Sequence, residues 1–96
     1  MEYYLSKGYL INKVFKALYI YEENEFNYPK YLRRLIVEMR GYLDEDKFNE
    51  KEKKVIFDSL IALKGLLKSY EVKETDHDTI RKIILFHVNK LQQELR

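Results

Sequence analysis

The side chains that most often perform catalysis are few in this chain and are poorly spaced for it. His77 and His87 are ten residues apart, so they do not lie on adjacent turns of a helix as paired metal ligands would. The three serines are Ser6, Ser59 and Ser69, and none has a histidine close by in sequence. A catalytic triad can assemble from distant positions, but two histidines offer little material for one. We therefore predict no catalytic residue.

Cofactor and metal chemistry also lack the residues they need. The chain has no cysteine, which excludes thiolate ligands, thiolate nucleophiles and disulfides. Its three glycines, Gly8, Gly41 and Gly65, each stand alone, so no glycine-rich loop is present to cradle a phosphate. The acidic runs have neither the spacing nor the glycine of a calcium loop. The sequence therefore predicts no cofactor, no metal site and no enzyme activity.

The overall charge is close to neutral and restricts the partners only weakly. Eighteen Lys and Arg against 16 Asp and Glu give a net charge of +2, too small by itself to imply nucleic acid or a membrane. No run approaches the roughly 18 apolar residues that span a bilayer. The absence of cysteine permits a reducing compartment. We expect one soluble, cytoplasmic domain over residues 1–96 with no transmembrane segment.

Four runs of hydrophobic residues with helical periodicity fill most of the chain. The helices that they predict must position any functional side chain. They predict a helix over about residues 7 to 22, one from Asn27 to about Leu43, one opening at Asn49 and one following Thr75 and Asp78. Breaks of about five residues make consecutive helices antiparallel neighbours. The sequence therefore predicts an all-α fold, a small antiparallel up-down-up-down four-helix bundle. The alternative is three helices preceded by an irregular or strand-like N-terminus.

Each predicted helix has an apolar seam with spacings of three and four residues. The seam residues expected in the core are Leu10, Ile11, Val14, Phe15, Ala17, Leu18 and Tyr21, then Tyr28, Leu32, Leu35, Met39 and Tyr42, then Ile56, Leu60, Leu63, Leu67 and Tyr70, and finally Ile80, Ile84, His87, Val88, Leu91 and Leu95. Glu52, three residues after Asn49, predicts a capping box at the third helix.

Some large apolar residues project away from these seams. They are Tyr9, Ile20, Val37, Phe57, Ile61 and Phe86. Phe57 and Ile61 are four residues apart and therefore adjacent on one surface. One interpretation is that they are ordinary scattered surface residues, or that the third helix is buried on more than one side. The other is that they form a surface for self-association or for a protein partner.

Basic residues collect on the predicted outer faces of the first two helices. They are Lys13 and Lys16 on the first helix and Lys30, Arg33 and Arg40 on the second. If these faces adjoin, they form a basic surface interleaved with apolar groups, which suits phosphates, anionic lipid headgroups or an acidic protein. The alternative is a pair of solvated helix faces.

Acidic residues collect in the polar breaks instead. In an antiparallel bundle the first and third loops lie at the same end, so the sequence predicts a negative pole there. Its members are Glu22, Glu23, Glu25, Glu71, Glu74, Asp76 and Asp78, with Lys73 among them.

These features favour a non-catalytic small helical protein that acts through protein-protein binding, by self-association or with a larger regulatory partner. The alternative is a nucleic-acid-binding regulatory protein, although residues 44–49 are mostly charged and do not form the glycine-containing turn of a helix-turn-helix. In architecture alone, the chain is similar to bacterial immunity proteins that protect producers against their own bacteriocins, and to small regulatory proteins of phages and plasmids. This resemblance assigns no functional residue.

Overall fold

The four predicted helices are present in the computed structural model, which describes residues 7–95. In chain order they are α1 (Lys7–Glu23), α2 (Tyr28–Leu43), α3 (Glu50–Glu71) and α4 (His77–Glu94), with a 3₁₀ turn at Glu25–Asn27. The helices α1 and α3 each contact both α2 and α4, so the four form a closed ring of neighbours. Together with the short connections, this arrangement confirms the predicted four-helix bundle. None of these helices is long and apolar enough to cross a membrane.

The starts of α2 and α3 follow from their local sequence. Pro29 lies in the first turn of α2, where the missing N–H would have had no partner within the helix. Asn27 precedes this helix but makes no side-chain cap, and Asn24 instead caps the 3₁₀ turn before it. At α3, the Asn49 side chain accepts from the Glu52 N–H at 2.8 Å. The Glu52 carboxylate accepts from the Asn49 N–H at 2.9 Å, which completes the predicted capping box.

The end of α3 is closed by a left-handed residue. Lys73 has φ of 60°, and its N–H donates to the Tyr70 carbonyl at 3.1 Å. The next N–H, of Glu74, donates to the Ser69 carbonyl at 2.9 Å, so the two bonds form a Schellman motif. Glycine is the usual residue at this position, and a lysine there costs on the order of 1 kcal/mol more.

The cap of α4 differs from the prediction, which paired Thr75 with Asp78. Asp76 is the capping residue, and its carboxylate accepts from the Thr79 N–H at 2.9 Å and from the Thr79 hydroxyl at 3.0 Å. These hydrogen bonds lower the pKa of Asp76. An ionised carboxylate also interacts favourably with the helix dipole, which explains why it displaces a neutral threonine as the cap.

The core consists mainly of the predicted seams. Its buried apolar residues are Leu10, Val14, Ala17, Leu18, Tyr28, Leu32, Leu35, Ile36, Met39, Tyr42, Phe48, Ile56, Leu60, Leu63, Leu66, Ile80, Ile84, Val88, Leu91 and Leu95. All five predicted seam residues of α2 are among them. The prediction was wrong for Phe15, which is 48% exposed because it lies at the edge of the buried stripe. The half-buried His87 also lies at a stripe edge.

Three buried apolar positions in the described part of the chain were not predicted. Ile36, on α2, is 7% exposed. Leu66 is buried, whereas its predicted neighbour Leu67 is only partly so, because α4 covers the flank of α3 on which Leu66 lies. Phe48 is 3% exposed although it lies in the α2–α3 loop. Its ring contacts the Tyr42 ring edge-on, with centroids 5.8 Å apart. A loop residue has no helical period to reveal it.

We expect Leu35→Ala or Leu63→Ala to lower the free energy of unfolding by roughly 2 to 5 kcal/mol, because each leaves a cavity among packed helices. Both leucines are 2% exposed. Chemical denaturation gives the measurement, and Val37→Ala, at a position 66% exposed, is the control. A buried leucine should lose more than about 1 kcal/mol when it is replaced by alanine. Smaller losses at both positions would therefore contradict these helix orientations.

Candidate protein-binding surface

The helix α3 exposes a continuous stripe of basic and apolar side chains. Its members repeat at intervals of three and four residues, which places them along one side of the helix. They are Lys54, Phe57, Ile61, Lys64 and Lys68, and all are exposed. Phe57 is 50% and Ile61 48% exposed, so the structure leaves both at the surface.

A second stripe with the same spacing lies on α2. It consists of Lys30, Arg33, Val37 and Arg40, all exposed, with Val37 66% exposed. Arg33 Nη2 lies 2.8 Å from Glu71 Oε2, an ion pair that joins the outer sides of α2 and α3. The same antiparallel register brings Arg40 level with Lys64, two turns further along. We call the nine residues of the two stripes the basic-apolar face.

The basic-apolar face is strongly positive because few acids neutralise it. Six of its nine residues are Lys or Arg, three are apolar and none is acidic. Arg33 pairs with Glu71, and Lys54 lies 3.7 Å from Asp58, but both pairs are exposed and contribute little stability. Over residues 7–95, the other four cations, Lys30, Arg40, Lys64 and Lys68, have no ion-pair partner. They are available to a partner.

The helix α1 contributes less to this surface than the sequence indicated. The Lys13 ammonium lies 5.3 Å from the Tyr9 ring centroid and 5.9 Å from the Tyr31 ring centroid. The Tyr31 hydroxyl donates to the Lys13 carbonyl at 2.6 Å, so Lys13 helps to hold α1 against α2. Lys16 is exposed. Tyr9 is half-buried and Ile20 packs against the core. The prediction that both project away from the bundle was therefore wrong.

Phe86 is separated from the basic-apolar face by a groove between α3 and α4. It is 56% exposed, and the Lys90 ammonium lies 5.8 Å from its ring centroid. The groove has a volume of about 240 Å³, and both Phe86 and Lys54 line it. Lys54 therefore connects the groove to the face, whereas Phe86 lies on the groove's α4 side.

Among the residues that the structure describes, four other apolar side chains are exposed without having been predicted. They are Phe15 (48%), Tyr19 (55%), Phe26 (91%) and Val72 (50%). Phe26 and Val72 lie in polar breaks, and that position was a usable signal of exposure. Phe15 and Tyr19 are four residues apart on α1, away from the basic-apolar face, and so provide an internal comparison for it.

The structure brings together a serine and a histidine that are 28 residues apart in sequence. Ser59 Oγ lies 3.2 Å from His87 Nδ1. Burial lowers the pKa of His87, with Lys90 adding to the effect and Asp58 opposing it. Ser59 is fully buried, so its hydroxyl is closed to a substrate and the contact satisfies a buried polar group. Within the described residues, no group of three or more His, Asp and Glu side chains could hold a metal ion.

The first and third polar breaks meet at one end of the bundle, as predicted for the acidic pole. His77 Nε2 lies 2.6 Å from Glu22 Oε2, between the start of α4 and the end of α1. The Tyr70 hydroxyl donates to the Glu25 carbonyl at 3.4 Å. The acids at the ends of α1 and α3 therefore share one pole.

Comparison with protein-family models, curated proteins and solved structures found no match to this chain. The likeness to immunity proteins therefore rests on helix number and arrangement alone, which many unrelated proteins share. The side chains of the described residues are the basis on which a function can be inferred.

We expect acidification to weaken the fold through His87. Its folded-state pKa is held below the ordinary 6.5, so the unfolded chain binds this proton more readily. The free energy of unfolding should fall as the pH drops below about 6.5, and less so in His87→Gln. Denaturation of both proteins at neutral and mildly acidic pH gives the comparison, in which the other titrating groups cancel. Equal slopes in the two proteins would contradict the assignment to His87.

Proposed function

We propose that this protein is a non-catalytic, cytoplasmic regulatory protein that docks an acidic protein partner on its basic-apolar face. The observation that carries the proposal is the exposure of Val37, Phe57 and Ile61 among six basic side chains. Apolar side chains that become buried supply the affinity of an interface, and surrounding charges steer and orient the partner. The face offers both on two helices that pack together.

The charges favour a different protein over a second copy of this chain. In a two-fold symmetric dimer the same patch faces itself. Arg40, Lys64 and Lys68 would then face the same positive patch on the second copy, and such like-charge contacts are unfavourable at an interface. A partner with acidic residues around an apolar patch would instead neutralise these cations.

Nucleic acid is a second candidate because four cations of the face lack ion-pair partners among the described residues. Phosphates would pair with them, but Phe57, Ile61 and Val37 would find no counterpart along a phosphate backbone. In a complex with a protein, the same apolar side chains would be buried and would contribute to the affinity. The protein partner is therefore the better supported occupant.

Replacing Phe57 and Ile61 together by serine should remove partner binding while the fold stays intact. Both residues are about half exposed, so the changes should lower the free energy of unfolding by much less than a core substitution does. The matched control is Phe15→Ser with Tyr19→Ser, which removes similarly exposed residues from α1. Proteins retained by the wild type are identified by affinity capture from the native cell, and their affinities for all three forms are then measured directly.

We expect the control to bind as tightly as the wild type and the Phe57/Ile61 variant to bind at least about tenfold more weakly, as for loss of central interface residues. Charge reversal by Lys64→Glu should weaken the same complex. Equal affinities of the two double variants would contradict the proposal. Global unfolding of the Phe57/Ile61 variant would show that the two residues belong to the core.

For nucleic acid we expect weak, salt-sensitive and sequence-independent binding at most. Replacing Lys30, Arg33 and Arg40 by alanine should flatten the dependence of affinity on salt, by roughly 0.9 in log-log slope for each phosphate that the variant no longer neutralises. Fluorescence anisotropy with unrelated duplexes at several salt concentrations gives the slope. A tight complex with one duplex at physiological salt would favour the nucleic-acid candidate instead.

A further inference from the structure

A second candidate site lies at the acidic pole. A cleft of about 290 Å³ opens there between the end of α1, the end of α3 and the loop that leads to α4. Its lining residues are Tyr21, Glu25, Tyr70, Lys73 and Thr75, and we call it the tyrosine cleft. Sequence spacing could not have revealed it, because three separate segments contribute to it.

The aromatic walls of the tyrosine cleft are held in place by packing. The ring of Tyr28 contacts those of Tyr21 and Tyr70 edge-on, with centroid distances of 4.9 Å and 5.4 Å. Tyr21 also stacks on the His77 ring, with centroids 5.9 Å apart and planes 14° from parallel. Glu22 holds His77 in turn, through the 2.6 Å contact. The aromatic rings are therefore preorganised.

Two buried hydroxyl groups in this region lack a hydrogen-bond partner. Thr75 lines the cleft, and its Oγ1 is buried and unpaired within the described residues. Tyr28 is fully buried beside the cleft, and its hydroxyl is likewise unpaired. Most buried polar groups in proteins are hydrogen-bonded, so each exception calls for an explanation. A polar group of a ligand in the cleft would supply the missing partner of the Thr75 hydroxyl, whereas Tyr28 does not itself line the cleft.

Burial and nearby negative charge both act on the two tyrosines that line the cleft. Desolvation and the charges of Glu25 and Asp76 raise the pKa of Tyr21. Desolvation and the charge of Glu25 raise the pKa of Tyr70 as well. The Glu25 carboxylate has no ion-pair partner among residues 7–95. Within the described residues, Lys73 is the one cation that lines the cleft, and it is exposed.

We propose that the tyrosine cleft binds an organic cation, an alkylammonium or guanidinium group, between its aromatic walls and the Glu25 carboxylate. Aromatic faces attract such cations through their quadrupole, and a nearby carboxylate adds a direct charge interaction. An anion would meet Glu25 and the surrounding acids instead. The site is independent of the basic-apolar face, which binds the opposite charge, so either proposal can fail without the other.

Choline and its uncharged isostere 3,3-dimethylbutan-1-ol separate charge recognition from shape recognition. Titration of the intact protein, followed by amide NMR shifts, should show saturable changes around Tyr21, Tyr70 and Thr75 with choline. The alcohol should bind at least about fivefold more weakly, since it lacks the charge that cation-π and carboxylate contacts require. Equal, saturable binding of the two probes would overturn the proposal.

Charge variants give results of opposite sign. Glu25→Gln should weaken choline binding by about three- to tenfold, whereas Lys73→Gln should strengthen it because a like charge is removed. Glu23→Gln is the matched control, since Glu23 lies at the same end of α1 but does not line the cleft. An effect at Glu23 equal to that at Glu25 would mean that the acidic pole attracts choline without a specific site, and it would overturn the proposal. Circular dichroism checks the fold of each variant.

The cation can be a free small molecule or a side chain of another protein, and both share this chemistry. Neutral Gly-Ser peptides that each carry one lysine, arginine or trimethyllysine distinguish the two sources. A peptide that binds more tightly than choline identifies a side chain, whereas choline binding as tightly as any peptide identifies a small molecule. Rejection of both choline and all three peptides would contradict the proposal, irrespective of the basic-apolar face.

Discussion

The whole structure depends on burying four apolar helix stripes in one shared core. The four helices have 16 to 22 residues, and most of the stability of a helix in a protein comes from packing its apolar face, so each needs the others to cover its stripe. Fully buried side chains such as Tyr28, Ile56 and Ile84 come from different helices and meet in that core. A bundle of four helices can cover only the inward sides. Apolar residues on the outward sides, among them Phe57 and Val37, must therefore remain exposed, and this limitation creates the candidate surface.

Much of the fold could be predicted because the information is local. The capping box of Asn49 and Glu52 needs only two residues at a fixed spacing, and the α2 seam needs only its period. The errors arose where a neighbouring helix decides the outcome. Phe15 and Leu66 both lie at stripe edges, and only the position of the adjacent helices determines that the first is exposed and the second buried. Periodicity cannot supply that information.

The candidate sites divide in the same way. The exposure of Phe57, Ile61 and Val37 follows from helical projection and was predicted, whereas the joining of their stripes depends on the register that places Arg33 beside Glu71. The tyrosine cleft could not be predicted from the sequence. Tyr21 and Tyr70 come from different helices, and the sequence showed them only as seam residues expected in the core. Their common cleft appears once antiparallel packing brings the two ends together.

The ion pair of Arg33 and Glu71 marks the boundary between two regions of opposite charge. Arg33 belongs to the basic-apolar face, and Glu71 belongs to the acidic pole. At physiological ionic strength, charges are screened over about 8 Å, which is short compared with the 37 Å length of the bundle. Ligands of opposite charge at the face and the cleft therefore need not compete, except near this pair. A partner carboxylate that reached Arg33 would displace Glu71, whose freed charge would add to the attraction of cations at the pole. The two proposed sites are thus linked, if at all, through one exposed and weak ion pair, and a large coupling between them is not expected.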